Sequence, residues 1–73
     1  MGISQCEGKV LLGKAICRQR REQLLSQEQL AQMAGTSKSH LWRIEAGRIG
    51  VSLDLLCRLA SSLNVKVNEL IEF

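Results

Sequence analysis

Apolar residues recur along this chain at spacings of three and four, which places them on one face of an α-helix. The clearest stripe lies in the C-terminal third, where four apolar residues stand at i, i+3, i+4 and i+7: Leu56, Leu59, Ala60 and Leu63. No proline interrupts the sequence, and no Asn-Gly or Asp-Gly pair offers a hairpin turn. The pattern therefore predicts an all-helical protein.

The first predicted helix follows a polar, glycine-containing stretch at the N-terminus. The helical pattern begins at about Lys9, and Leu12 and Ile16 stand four residues apart on one face, so the helix is predicted over residues 9–23. Residues 1–8 are predicted to form a tail that frays or extends this helix.

Two short helices are predicted next, and the residues at their ends define them. Ser26 begins the second helix, because Ser26 and Gln29 have the spacing of a capping box. Gly35 ends it after barely two turns, since glycine takes the left-handed conformation that follows many helices. Ser37 is then a suitable N-cap for a third helix.

A fourth and a fifth helix complete the chain. Ser52 is the predicted N-cap of the fourth, which carries the apolar stripe and ends at Asn64, a residue that tolerates left-handed geometry. The fifth is predicted over residues 67–73. The apolar residues that this last helix is expected to bury are Val67, Leu70 and Ile71.

Length and charge narrow the class of protein. A chain of 73 residues has room for one hydrophobic core, so residues 9–73 are predicted to form one all-α domain, a compact five-helix bundle. The formal net charge of +3 favours a polyanionic partner, although many soluble domains are mildly basic. The position of the charges must therefore decide what the partner is.

The cysteines and the apolar runs exclude several classes. Cys6, Cys17 and Cys57 are odd in number and lack CxxC spacing, so we predict neither a disulfide framework nor a zinc site, and a reducing cytoplasm is the expected compartment. No apolar run approaches the roughly 18 residues of a membrane span. We expect no membrane association, no metal, no cofactor and no small-molecule ligand.

The second and third helices together have the form of a helix-turn-helix, two short helices joined by three or four residues that include a glycine. If Leu41 and Ile44 face inward, the opposite side of the third helix carries Lys38, Ser39, Trp42 and Arg43. Lysine, arginine and serine suit the hydrogen-bonding groups of the DNA major groove. Lys38, Ser39 and Arg43 are therefore predicted to read bases, with Lys38 and Ser39 reaching deepest, and Trp42 joins this set through contact with a thymine methyl group or the DNA backbone.

Other residues around this unit are suited to hold the DNA backbone. Gln27 begins the second helix, where its side chain and free backbone N–H groups can bind a phosphate. Arg48 lies in the loop after the third helix, where it can bind another phosphate. We also assign Ser37 and His40 to the phosphate-contacting side.

At these positions the sequence resembles the Cro and C1 repressor-like, or Xre-type, helix-turn-helix family over about residues 12–71. The segments that carry the resemblance are Leu25-Ser26-Gln27-Glu28-Gln29-Leu30-Ala31, Gly35-Thr36-Ser37-Lys38-Ser39, Leu41, Arg43-Ile44-Glu45, Gly47-Arg48, Ser52-Leu53, and Leu59-Ala60 through Leu63-Asn64-Val65. The sequence departs from the family pattern at Gln19, where an aliphatic residue is common, at Leu24, where a glycine usually makes the turn, and at Val51, where proline is frequent.

The resemblance implies a fold similar to that of the lambda repressor and a third helix that reads an operator in double-stranded DNA. It implies a symmetric homodimer on a palindrome, and a structural pair between Arg20 and Glu45 that ties the first helix to the third. Phage repressor, antitoxin and controller of a restriction-modification system remain equal alternatives. Leu55 and Phe73 are expected to be surplus to the core and available for a two-fold interface.

Two other classes of function are alternatives to a transcriptional regulator. A protein-interaction module could keep this fold and use Trp42 and the terminal helix as an apolar patch. An enzyme is not predicted, because the sequence contains no carboxylate pair, no nucleophile with a base and no glycine-rich phosphate loop.

Overall fold

The computed structural model describes residues 5–71, with side chains from Glu7 onward. The described chain is all-helical and contains five α-helices: α1 (Gln5–Glu22), α2 (Gln27–Ala34), α3 (Lys38–Glu45), α4 (Leu53–Ser62) and α5 (Val67–Leu70). This confirms the predicted five-helix bundle. Helix α1 begins four residues before Lys9, so residues 5–8 extend the helix.

Each of the five helices contributes to a single core. The side chains that are almost completely buried are Ile16, Leu30, Leu41, Ile44, Leu59, Leu63 and Leu70. Helix α4 packs between α2 and α5, and α1 packs against α3 and α5. The aliphatic core therefore fixes α2 and α3 relative to the rest of the domain.

Two expectations about the C-terminal part were wrong. Leu55 is only 5% exposed and belongs to the core, because α4 is covered on two sides, by α2 and by α5. Helix α5 ends at Leu70, and Ile71 is 44% exposed, while Val67 packs against the core only in part. Phe73 lies outside the described residues. Leu70 is the fully buried residue of this short helix, and Val67 adds a partial contact with the core.

Serine side chains begin α2, α3 and α4. The hydroxyl oxygens of Ser26, Ser37 and Ser52 each accept a hydrogen bond from the backbone N–H three residues further on, at 3.0, 3.1 and 3.2 Å. In α2 the Gln29 side chain also accepts from the Ser26 backbone, which completes the predicted capping box. The sequence therefore defines these helix starts locally.

A left-handed residue ends each of the first four helices. These residues are Leu24, Gly35, Gly47 and Asn64, with φ of 58°, 73°, 74° and 57°. In each case the next backbone N–H bonds back across the last turn, as in Leu25 to Arg20 at 3.1 Å, which is the Schellman pattern. Leucine is the unfavourable member of this set, since its Cβ crowds the backbone in the left-handed region.

We expect Leu24→Gly to stabilise the domain by about 0.5–1 kcal/mol. Left-handed geometry costs a residue with a Cβ roughly 1–2 kcal/mol, and the greater freedom of glycine in the unfolded chain offsets about 0.5–1 kcal/mol of that. The Leu24 side chain is 90% exposed, so little packing is lost. Urea denaturation checks the result, with Leu24→Ala as the control that keeps the strain. Equal stabilities of the two variants would contradict it.

Candidate nucleic-acid interface

Helices α2 and α3 pack through small and aliphatic side chains and leave one face of α3 open. Helix α2 buries Leu30, Ala31 and Ala34, and α3 buries Leu41 and Ile44. The alanines allow the two helices to approach closely, since they add little volume at the crossing. The side chains on the opposite face of α3 are all exposed: Lys38, Ser39, Trp42 and Arg43.

One open groove joins this exposed face to the start of α2. It is lined by Gln27 together with all four predicted base-reading residues, Lys38, Ser39, Trp42 and Arg43. Two of the five lining side chains are cationic and none is acidic, so the groove attracts an anion. The structure thus brings the base-reading candidates and one phosphate candidate to the same surface.

A second groove adjoins the first and shares Gln27, Lys38 and Trp42 with it. It extends toward the end of α1 and adds the cation Arg21, which is not among the predicted contact residues. The only signal for Arg21 in the sequence is its place in the last turn of α1, just before the helix-turn-helix. Arg21 therefore adds a cation beside α3, in a groove that the acidic Glu28 also lines.

The other three phosphate candidates do not line the first groove. The Ser37 hydroxyl accepts from the His40 backbone N–H at 3.1 Å, so it is occupied as a helix cap but can still donate its own hydrogen. His40 is half-buried beside it. Arg48 is exposed and lies over the ring of Trp42, with the guanidinium carbon 5.0 Å from the ring centroid.

Arg20 and Glu45, the two residues that the family resemblance pairs, form a bidentate ion pair between α1 and α3. Arg20 Nε donates to Glu45 Oε2 at 2.8 Å, and Nη2 donates to Oε1 at 3.0 Å. The side chains are 11% and 5% exposed. The hydrogen bonds to Glu45 raise the pKa of Arg20 above its ordinary value, so the guanidinium stays charged within the fold.

The same pair also holds the start of the helix-turn-helix. Arg20 Nη1 donates to the carbonyl oxygen of Leu25 at 2.9 Å, which fixes the turn between α1 and α2. Gln27 Nε2 donates to Glu45 Oε1 at 3.1 Å, a contact that sequence reasoning missed. Glu45 therefore links the buried ion pair to a side chain of the open groove.

Two features of other protein classes are absent from the described part of the chain. Among residues 5–71, no group of three histidine, cysteine, aspartate or glutamate side chains is arranged to hold a metal ion. No helix in this range has both the length and the apolar character needed to cross a membrane.

Solved structures of three bacterial regulators are similar to this chain. The restriction-modification controller protein C.AhdI from Aeromonas hydrophila has 34% sequence identity and a TM-score of 0.83, over 85% of this chain and 94% of that chain. The clp gene regulator ClgR from Corynebacterium glutamicum has 26% identity and a TM-score of 0.85, over 88% and 68%. An HTH_3 family transcriptional regulator from Vibrio cholerae has 25% identity and a TM-score of 0.88, over 94% and 39%.

The family comparison agrees with the geometry of the site. No curated protein sequence matches the chain significantly. The helix-turn-helix family HTH_3 matches residues 18–70, a span that runs from the last turns of α1 to the end of α5 and contains the whole candidate interface. The chain belongs to the HTH_3 family of helix-turn-helix proteins, the Cro and C1 type.

Proposed function

We propose that this protein is a sequence-specific transcriptional regulator that occupies an operator in double-stranded DNA, with α3 in the major groove. The observation that carries the proposal is the single groove shared by Gln27 of α2 and the four outward side chains of α3. The protein acts by binding, without catalysis or a cofactor, and its expected compartment is the cytoplasm.

Base reading is assigned to the exposed face of α3. Lys38 and Arg43 donate to O6 and N7 of guanine, and Ser39 can bond to several base edges. Trp42 offers an apolar surface to a thymine methyl group. Lys38 and Ser39 lie at the N-terminal end of α3, the end that enters the groove deepest in helix-turn-helix proteins.

Phosphate binding is assigned to residues around that face. Gln27 is the first residue of α2, where free backbone N–H groups and the helix dipole favour an anion. One hydrogen of its amide group is held by Glu45, which leaves the other to meet a phosphate oxygen. Arg48, Ser37 and His40 complete the set that we predicted, and Arg21 adds a further cation beside Gln27.

We further propose a symmetric homodimer on a palindromic operator. In such dimers each copy contributes one reading helix, and the two helices bind half-sites about one turn of the duplex apart. The sequence left three biological settings open. The match to C.AhdI covers 94% of that controller's chain, and this favours a role as the controller of a restriction-modification system.

Selection of bound sequences from random duplex DNA tests the function. We expect an enriched palindrome for the wild-type protein, and Lys38→Ala with Arg43→Ala to lose this enrichment. Each lost base contact is worth roughly 1–3 kcal/mol, so affinity for the enriched duplex should fall by about thirtyfold or more. Both side chains are exposed, so the double variant should melt like the wild type.

A matched control separates base reading from loss of charge. Lys14 and Arg18 are also one lysine and one arginine, both exposed, but they lie on α1 outside the two grooves beside α3. Lys14→Ala with Arg18→Ala removes the same charge and should keep the enriched sequence. A folded wild-type protein that enriches no sequence would contradict the proposal and favour a protein-interaction module.

A further inference from the structure

The two exposed side chains Trp42 and Arg48 form a contact that base reading alone does not require. The guanidinium of Arg48 lies 5.0 Å from the centroid of the Trp42 ring, inside the range of about 6 Å for cation–π attraction. Trp42 is 47% exposed. The contact therefore forms at the surface, where an arginine side chain would otherwise sample many rotamers.

The backbone brings these residues together. Gly47 has a φ of 74°, its N–H donates to the Ile44 carbonyl at 3.0 Å, and the Arg48 N–H donates to the Arg43 carbonyl at 3.0 Å. This is a Schellman motif, which usually returns the residue after the left-handed position to an apolar contact with the last turns of the helix. Here the returning residue is Arg48, and the side chain that it meets is Trp42.

A cation–π contact uses the face of the guanidinium of Arg48 and leaves its N–H groups available for hydrogen bonds. Arg20 pairs with Glu45 and Arg58 with Asp54, whereas no ion pair of Arg48 is seen among the described side chains. An arginine whose flat face rests on an aromatic ring keeps its N–H groups at the edge, where they can meet a phosphate in bidentate geometry. The ring of Trp42 also lines the first groove, with Lys38, Ser39 and Arg43. Arg48 therefore lies immediately beside that groove.

We propose that Trp42 is a positioning residue for Arg48. Its indole ring holds the guanidinium beside the reading face of α3, ready to bind a phosphate of the DNA strand next to the bases that α3 reads. This inference rests on the proposed DNA-binding function. It gives Trp42 a role in backbone binding that is separate from any contact of the ring with a base.

Trp42 is the only tryptophan in the chain, so its fluorescence reports on the stack without DNA. We expect Arg48→Ala to change the emission of Trp42 in the free protein while the helical circular dichroism stays the same. An unchanged emission spectrum would show that the two side chains do not stack in solution and would overturn the proposal.

A double-mutant cycle on DNA tests the function of the stack. The probe is the duplex enriched by wild-type selection, titrated at several salt concentrations. Arg48→Ala should lower affinity about tenfold and reduce the slope of log affinity against log salt by about one, as expected for one lost phosphate contact. In a Trp42→Leu background the same change should lower affinity less than about threefold, because Arg48 is already misplaced.

Trp42→Phe is the conservative variant, since it keeps an aromatic face below Arg48. It should retain the wild-type salt slope and most of the effect of Arg48→Ala, even if it loses affinity through a base contact. Equal effects of Arg48→Ala in the wild-type and Trp42→Leu backgrounds would overturn the positioning role while leaving the DNA-binding function intact. Failure of the wild-type protein to bind any duplex selectively would overturn both.

Discussion

Replacing Glu45 with alanine should destabilise the domain by roughly 3–5 kcal/mol, the usual cost of removing one partner from a buried ion pair. The substitution leaves the guanidinium of Arg20 at 11% exposure without its carboxylate. It also removes the carboxylate oxygen that accepts a hydrogen bond from the Gln27 side chain. A protein of 73 residues has a total stability of roughly 4–11 kcal/mol, so this loss is a large part of the whole.

Thermal denaturation followed by circular dichroism measures the effect. One kcal/mol shifts the melting temperature of a domain of this size by roughly 4–8 °C, so we expect a fall of at least about 12 °C. The control is Asp54→Ala, which breaks the exposed pair with Arg58 on α4, where the carboxylate is 82% exposed. That change should cost about 1 kcal/mol at most. A similar melting temperature for both variants would contradict the prediction.

Replacing both members of the buried pair distinguishes two costs: the loss of the attraction between Arg20 and Glu45, and the burial of a charge that has no partner. Arg20→Met combined with Glu45→Leu leaves no unpaired charge in the interior, so it should be more stable than Glu45→Ala alone. Arg20 would still lose its hydrogen bond to the Leu25 carbonyl oxygen, which limits the recovery. If the losses of the two single variants simply added, Arg20 and Glu45 would not be coupled.

The helix starts and the outward face of α3 were predictable because their signals are local. A serine cap binds a backbone N–H only three residues away, as Ser26 and Ser52 do. The exposure of Lys38 and Arg43 follows from helical periodicity once Leu41 is assigned to the core. Nothing outside a single helix is needed for either inference.

The contacts that organise the interface could not be read from the chain. Gln27 and Glu45 are 18 residues apart, and their hydrogen bond depends on how α2 crosses α3. The stack of Arg48 on Trp42 needs the left-handed turn at Gly47, and a sequence pattern does not show that this turn carries Arg48 back over a side chain six residues before it. The burial of Leu55 likewise depends on which helices cover α4.

Gly13 was also missed, because a glycine within a helix adds nothing to an apolar pattern. In the fold it is buried where α1 crosses the end of α3. A Cβ at this position would meet the carbonyl oxygen of Ile44 and would lie 2.8 Å from that of Glu45. Both obstacles are backbone atoms, which cannot rotate away as the end of a side chain can.

Gly13→Ala should therefore destabilise the protein by about 2–3 kcal/mol, although alanine is the better helix former by about 1 kcal/mol. The matched control is Gly8→Ala in the same helix, where a Cβ would meet nothing within 4 Å. That variant should become more stable by up to about 1 kcal/mol. Urea midpoints with unchanged slopes measure both effects.

The opposite signs of these two changes are what test the close crossing of α1 and α3. If Gly13→Ala were as stable as Gly8→Ala, the two helices could not be in the contact that the structure shows. The crossing also bears on DNA binding, since Val10 of α1 packs against Gly47 in the turn that carries Arg48. A displaced α1 would move that turn, so any Gly13→Ala protein that remains folded should also bind the enriched duplex more weakly.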